Sequence, residues 1–90
     1  MDIGYVWHEQ KYERVTRKHG LRFGEVIDIF EDPQTLYETD PQGHVERQMA
    51  VGQTHSGRIL QVIFSYEDAP LVRIITAFEA SEAWRDEYRK

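Results

Sequence analysis

The sequence predicts a small α+β fold, an antiparallel sheet of about four strands preceded by two helices and followed by one. Two observations predict it. Between residues 12 and 30 the apolar side chains recur at helical spacing, and between residues 35 and 78 they recur with a period of two. Turn residues separate the later segments at intervals that suit hairpins, so helices and strands fall in separate blocks of the chain.

Ile3 to Trp7 is a short strand candidate. Tyr12, Val15, Thr16 and His19 then mark one face of a first helix. Gly20 is its stop, with Arg17, Lys18 and His19 in the last turn, where the helix dipole favours cations. Phe23, Val26, Ile27 and Phe30 repeat the pattern in a second helix, with Glu25 in its first turn and Pro33 ending it. Thr35 to Thr39 reads as a weak strand, followed by the turn Asp40-Pro41-Gln42-Gly43. Arg47 to Gln53 alternates, with Met49 and Val51 on one side, and Thr54-His55-Ser56-Gly57 is a hairpin loop. Arg58 to Tyr66 is the strongest strand, with Leu60, Val62, Phe64 and Tyr66 on one face. After the turn Glu67-Asp68-Ala69-Pro70, Leu71 to Phe78 is apolar on both faces and is expected to be central. Ser81 caps a last helix, in which Ala80, Trp84 and Tyr88 share a side.

Ninety residues are expected to form one domain, spanning 1–90. Apolar content of 40% with 30% charged residues suits a soluble globular chain rather than a disordered one. The absence of Cys excludes disulfides and thiolate metal sites. No apolar run approaches the ~18 residues of a membrane span, and the first residues lack a secretory signal pattern, so a cytoplasmic location is expected. A net charge of −5 argues against indiscriminate nucleic-acid binding. Charge is unevenly spread: residues 25–46 hold seven acids and no Lys or Arg, whereas residues 47–77 hold three Arg against two acids. The acidic stretch is either a solvated face or a docking surface for a basic partner.

No phosphate-binding glycine loop, nucleophile elbow or zinc-binding helix motif is present. His8, His19, His44 and His55 are widely spaced in four elements, so neither a metal nor another cofactor is expected. What remains is phosphate chemistry by Arg and His. Cleavage of RNA through its 2′-hydroxyl needs a base, an acid and cations on the pentavalent phosphate, and no metal. His titrates near neutral pH and Arg grips phosphate oxygens in pairs. Arg47, Arg58 and Arg73 sit at or near the ends of three successive strands. Either they converge on one rim or they are three independent strand-end cations. His19 and Trp7 each have a packing reading beside a functional one, Lys18 a solvated one, and Tyr88 either packs the last helix or stacks on a base.

Several ordered motifs resemble the BrnT family of bacterial ribonuclease toxins. They are Trp7-His8-Glu9-Gln10-Lys11, Lys18-His19-Gly20 with Phe23, Phe30-Glu31-Asp32-Pro33, and the succession Asp40, His44, Glu46, Arg47. Gly52, Gly57-Arg58, Leu60 and Val62 fit the family's central hairpin, and Arg73-Ile74-Ile75-Thr76-Ala77-Phe78 its next strand. Three positions depart from the pattern: His8 stands where the family has Asp, Phe78 where it has Arg, and Trp84 where it has Glu, while Arg85 and Tyr88 remain. The resemblance implies a RelE-like fold, translation inhibition by RNA cleavage, and neutralisation by a BrnA-like antitoxin. That antitoxin carries a ribbon-helix-helix part, so operator DNA is met only through the complex. In this reading Arg47, Arg58 and Arg73 hold the scissile phosphate, His19 or His44 acts as acid or base, and Tyr88 holds or stacks a base. Lys18, Trp7 and Arg85 assist in binding substrate. Two rivals are a catalytically weakened co-repressor, motivated by Phe78 and Trp84, and an oligomeric structural protein that uses the sheet edge.

Overall fold

The computed structural model describes residues 4–7, 20–40, 42–43, 46–67 and 69–90. The expected first helix falls outside them. Strand β1 (Tyr5–Trp7) is followed by helix α1 (Phe23–Glu31), strands β2 (Leu36–Thr39), β3 (Arg47–Gln53), β4 (Ile59–Ser65) and β5 (Val72–Glu79), and helix α2 (Glu82–Arg89). The strands form one sheet in the order β1-β5-β4-β3-β2. Neighbours β2 to β5 pair antiparallel, but β1 lies parallel to β5, with Tyr5 opposite Val72 and Trp7 opposite Ile74. The sheet is therefore five-stranded and mixed, where about four antiparallel strands were expected. The short strand candidate Ile3 to Trp7 is found as β1, but its parallel pairing into the sheet is not read from spacing, because its partner lies more than 60 residues away along the chain.

The strand expected to be central, β5, lies one place from the edge; the middle of the sheet is β4. Every residue of β4 is buried. Its run Ile-Leu-Gln-Val-Ile-Phe-Ser is apolar in both phases because both faces of the sheet are covered. On one face, Leu60, Val62 and Phe64 join Ala50, Ile74 and Ala77 beneath Val26 and Ile29 of α1, with Tyr5, Trp7, Phe23 and Phe30 around them. The apolar stripe of α1 runs through Ile29 rather than Ile27, which is only half-buried. On the other face, Met49, Val51, Ile59, Ile63 and Ala80 carry Trp84 and Tyr88 of α2 and Leu36 of β2. Burying one such aliphatic or aromatic side chain contributes about 1.5–3 kcal/mol, so the two layers together dominate the stability.

The end of α1 is fixed by side chains. Asp32 follows its last turn, with Pro33 preventing continuation. The Asp32 carboxylate accepts from the backbone N–H of Gln34 at 2.9 Å, that of Gln53 at 2.9 Å, and the Tyr88 hydroxyl at 2.5 Å. One carboxylate thus joins α1, the end of β3 and α2. Thr35 Oγ1 donates to the Ile29 carbonyl. The helix comes so near to β3 that a Cβ on Gly52 would lie 2.9 Å from Ile29 Cβ and 3.1 Å from the Ile29 carbonyl oxygen. At the start of α2, the Ser81 N–H donates to Gln61 Oε1 at 2.8 Å, and Ser81 Oγ accepts from the Trp84 N–H at 3.4 Å. Among the described residues, no helix is long and apolar enough to cross a membrane.

Candidate functional site

Strand register decides which of the expected site residues meet. Arg47 of β3 lies opposite Ser65 of β4, and Ser65 lies opposite Arg73 of β5. All three fall on the α2 face of the sheet, because their chain neighbours Phe64, Val72 and Ile74 belong to the core on the other face. Two strand spacings separate Arg47 from Arg73, about 10 Å between backbones, within reach of one phosphate group for two arginine side chains. Arg73 Nη1 is 3.1 Å from Glu67 Oε2. Among the described residues no ion pair engages the Arg47 guanidinium, and the buried Ser65 hydroxyl has no hydrogen-bond partner.

Arg58 does not join them. It precedes β4 at the opposite end, seven residues from Ser65, or roughly 23 Å along an extended strand. It faces α1, donating to the Gly20 carbonyl at 3.1 Å and to Glu25 Oε2 at 3.2 Å through Nη1, and to Glu79 Oε1 at 2.7 Å through Nη2. The hydrogen bond that it donates to Glu79, opposed by partial burial and aided by the Glu25 charge, raises the pKa of this guanidinium above its ordinary value. The three strand-end arginines therefore occupy two ends and two faces of the sheet. Counting alternation within each strand gives the face, but the pairing that decides the end depends on hairpin register. Arg85 also lies at the Arg58 end, where it shares a recess of about 180 Å³ with Arg58, Glu79 and Arg89.

Tyr88 and Trp7 both make packing contacts. Tyr88 is half-buried with its hydroxyl on Asp32, and burial, reinforced by that bond and the Asp32 charge, pushes its pKa up to about 12. The phenol keeps its proton at neutral pH and stays tied to the end of α1. Trp7 packs on the α1 face, with its ring centroid 5.8 Å from that of Phe23, opposite the side that carries Arg47 and Arg73. Lys18, His19 and His44 lie outside the described residues. His55 sits exposed in the β3–β4 loop, its Nδ1 3.4 Å from Asp28 Oδ1.

Beside Arg47 the sheet opens into a cleft of about 420 Å³ between the β2–β3 turn and α2. Ile63 and Ile75 contribute to its lining, as do Asp40 and Gln42 of the turn, Phe78 of β5 and Trp84 of α2. A bulge shapes it: Ile63 pairs with Thr76 but Phe64 pairs with Ile74, leaving Ile75 as the extra residue. Arg73 and Phe78, an odd number of residues apart, would point to opposite faces of a regular strand. The bulge changes the phase so that both serve the α2 face. Phe78 and Trp84 stand out in the sequence as aromatic departures from a charged pattern. Gln61, a polar residue within an apolar strand, was a further signal: its buried amide anchors Ser81 and reaches Met49 Sδ at 3.3 Å. Gln42 carries no such signal, since turn residues are polar wherever they lie, whereas Asp40 belongs to the succession that resembles the family.

These features, a mixed sheet between two helices with arginines at one rim beside a cleft, define a small α+β protein. The family model for the ribonuclease toxin BrnT of type II toxin–antitoxin systems matches residues 7–83. The chain belongs to this toxin family, whose type II organisation implies an antitoxin partner. Among solved structures it is similar to the Brucella abortus ribonuclease toxin BrnT, at 23% identity and a TM-score of 0.71, over 90% of this chain and 100% of the other. At that identity the likeness is one of fold, and the five-stranded architecture is BrnT-like rather than the four-stranded sheet of the RelE-like expectation. No curated protein sequence matches.

Proposed function

We propose that this chain is a metal-independent endoribonuclease toxin that cleaves cytoplasmic RNA, inhibits translation and is neutralised by a BrnA-like ribbon-helix-helix antitoxin. The observation that carries the reading is the pairing of Arg47 and Arg73 through Ser65 beside an open cleft, in a chain of a ribonuclease-toxin family. In the reaction, a ribose 2′-hydroxyl attacks the adjacent phosphorus after giving its proton to a base. The 5′-oxygen of the next nucleotide leaves after taking a proton from an acid. The products are a 2′,3′-cyclic phosphate and a 5′-hydroxyl. Two guanidinium groups offset the charge gathering on the phosphate oxygens, where a local cation is worth most. The base and acid are proposed to come from His19 and His44, whose ordinary pKa suits both tasks. Operator DNA is met only as the toxin–antitoxin complex.

Induced expression of the chain alone in bacteria tests this reading. Growth arrest with cleaved total RNA, relieved by co-expression of the antitoxin and by Arg47→Ala, is the expected result. Normal growth with folded protein and intact RNA overturns it.

A second reading has its own observation. Phe78 and Trp84 put aromatic rings into the cleft where the family resemblance expects Arg and Glu, which favours a weakened toxin acting as co-repressor. In that case the natural chain is harmless and the double change Phe78→Arg with Trp84→Glu creates toxicity. Toxicity of the unaltered chain removes this alternative.

A further inference from the structure

We propose that the cleft beside Trp84 receives one unstacked base of single-stranded RNA, stacked on the indole, with a neighbouring phosphate held by Arg47. This deepens the nuclease reading and takes its ligand class, RNA, from it. Trp84 packs against the apolar layer of Met49, Ile63 and Ala80, yet it remains half-buried and lines the cleft. One part of the ring is thus held in place while another faces open space. A fixed aromatic surface is what base stacking requires, since every base offers a flat π face. Phe78 lines the same cleft from β5, turned to this side by the bulge.

Size and charge agree with this occupant. A space of about 420 Å³ falls in the range of nucleotide-sized ligand sites, and more than fills the need of a base alone. Arg47 lines it and has no ion-pair partner among the described residues, so a phosphate meets an available cation. Gln42 adds an amide that can meet the hydrogen-bonding edge of a base. An apolar side chain of a protein partner is the competing occupant, but it would leave the guanidinium unused.

The test uses short 2′-O-methyl RNA, which lacks the hydroxyl needed for cleavage and so reports binding alone. The chain has two tryptophans, so an isotope-labelled sample shows two indole N–H resonances. Homotrimers of each base are titrated into the natural protein. The Trp84 resonance should shift while that of Trp7, on the opposite face, stays in place. By anisotropy with a labelled trimer, Trp84→Leu should weaken binding about tenfold, whereas Trp84→Phe, which keeps a π face, should stay close to the natural protein. A Trp84 resonance that stays fixed at millimolar trimer overturns the proposal, and so does undiminished affinity in a folded Trp84→Leu protein. If the leucine variant does not fold, the resonances of the natural protein still decide. Cleavage of RNA with an unmoved Trp84 sinks this proposal and leaves the nuclease reading standing. A bound base without cleavage does the reverse.

Discussion

The two ends of the sheet use arginine in opposite ways. At the far end Arg58 is spent on architecture: two carboxylates and a backbone carbonyl surround its guanidinium. Close by, Asp32 gathers the ends of α1 and β3 and the hydroxyl of Tyr88, and Gly52 lets α1 settle on the strand. At the near end Arg47 and Arg73 flank Ser65, and a cleft opens instead of closing. The same residue type at a strand end thus meets different surroundings: two carboxylates enclose Arg58, one carboxylate meets Arg73, and among the described residues no ion pair engages Arg47. In a chain of net charge −5, an arginine facing an anionic substrate has to lie clear of most of the acids.

Exchanging the roles of the two ends is the largest test. Arg47→Ala and Arg73→Ala should each lower RNA cleavage by about 10²–10³-fold, the usual loss when one group stabilising a transition-state charge is removed. Their thermal stability should change by less than about 0.5 kcal/mol, because neither is buried. Cleavage rates and melting curves on the same preparations separate the two effects. A loss of stability without a loss of rate at Arg47 would merge the two ends into one structural role.

Gly52→Ala probes the far end on its own terms. The added methyl meets the side chain and carbonyl of Ile29, backbone and β-carbon rather than a flexible tip. Overpacking of this kind costs about 1–3 kcal/mol, to be read as a lower urea midpoint at unchanged slope. A neutral result would mean that α1 can shift on β3, and that this end is looser than its hydrogen bonds imply.

Much of this contrast was legible in the sequence, and the remainder was not for identifiable reasons. The helical stripe of Phe23, Val26 and Phe30, the hairpin around Thr54 to Gly57, and the capped last helix follow from local spacing, and each is found. The parallel pairing of β1 with β5 and the location of Arg58 depend on partners distant in sequence, which spacing does not encode. The bulge at Ile75 is invisible for the same reason, and with it the turning of Phe78 into the cleft. The motif Phe30-Glu31-Asp32-Pro33 shows a helix stop in sequence but not the partners of Asp32, which come from β3 and α2. Tyr88 is one of the partners that explain why an Asp stands there.

Arg58→Ala sharpens the comparison further. It should destabilise the fold by about 1–2 kcal/mol, less than a fully buried ion pair would, because the guanidinium remains partly exposed and Glu79 more so. Cleavage by the folded fraction should stay close to that of the natural chain. Loss of cleavage at undiminished stability would return Arg58 to the catalytic set and place the phosphate site at the far end.

The smallest effect expected is that of Tyr88→Phe, about 1 kcal/mol for one hydrogen bond to a charged partner at a half-exposed site. Its pH dependence is more diagnostic than its size. Burial alone would raise the Asp32 carboxyl, but the bonds from Tyr88, Gln34 and Gln53 outweigh it and hold the group below its ordinary value. A carboxyl lowered on folding stabilises the fold above its unfolded pKa of about 4, and that contribution is lost as pH falls through the lower folded value. Tyr88 runs the other way: raised to about 12, it contributes fully below its unfolded value near 10 and loses that contribution as pH climbs toward 12. The advantage of the natural over the Tyr88→Phe protein should therefore be constant between about pH 5 and 9 and shrink on leaving that range at either side. Urea titrations across that range measure the difference directly. Identical curves at every pH would mean that the bond between Tyr88 and Asp32 contributes nothing net, and that α2 is held by Trp84, Ala80 and the Gln61–Ser81 contact alone.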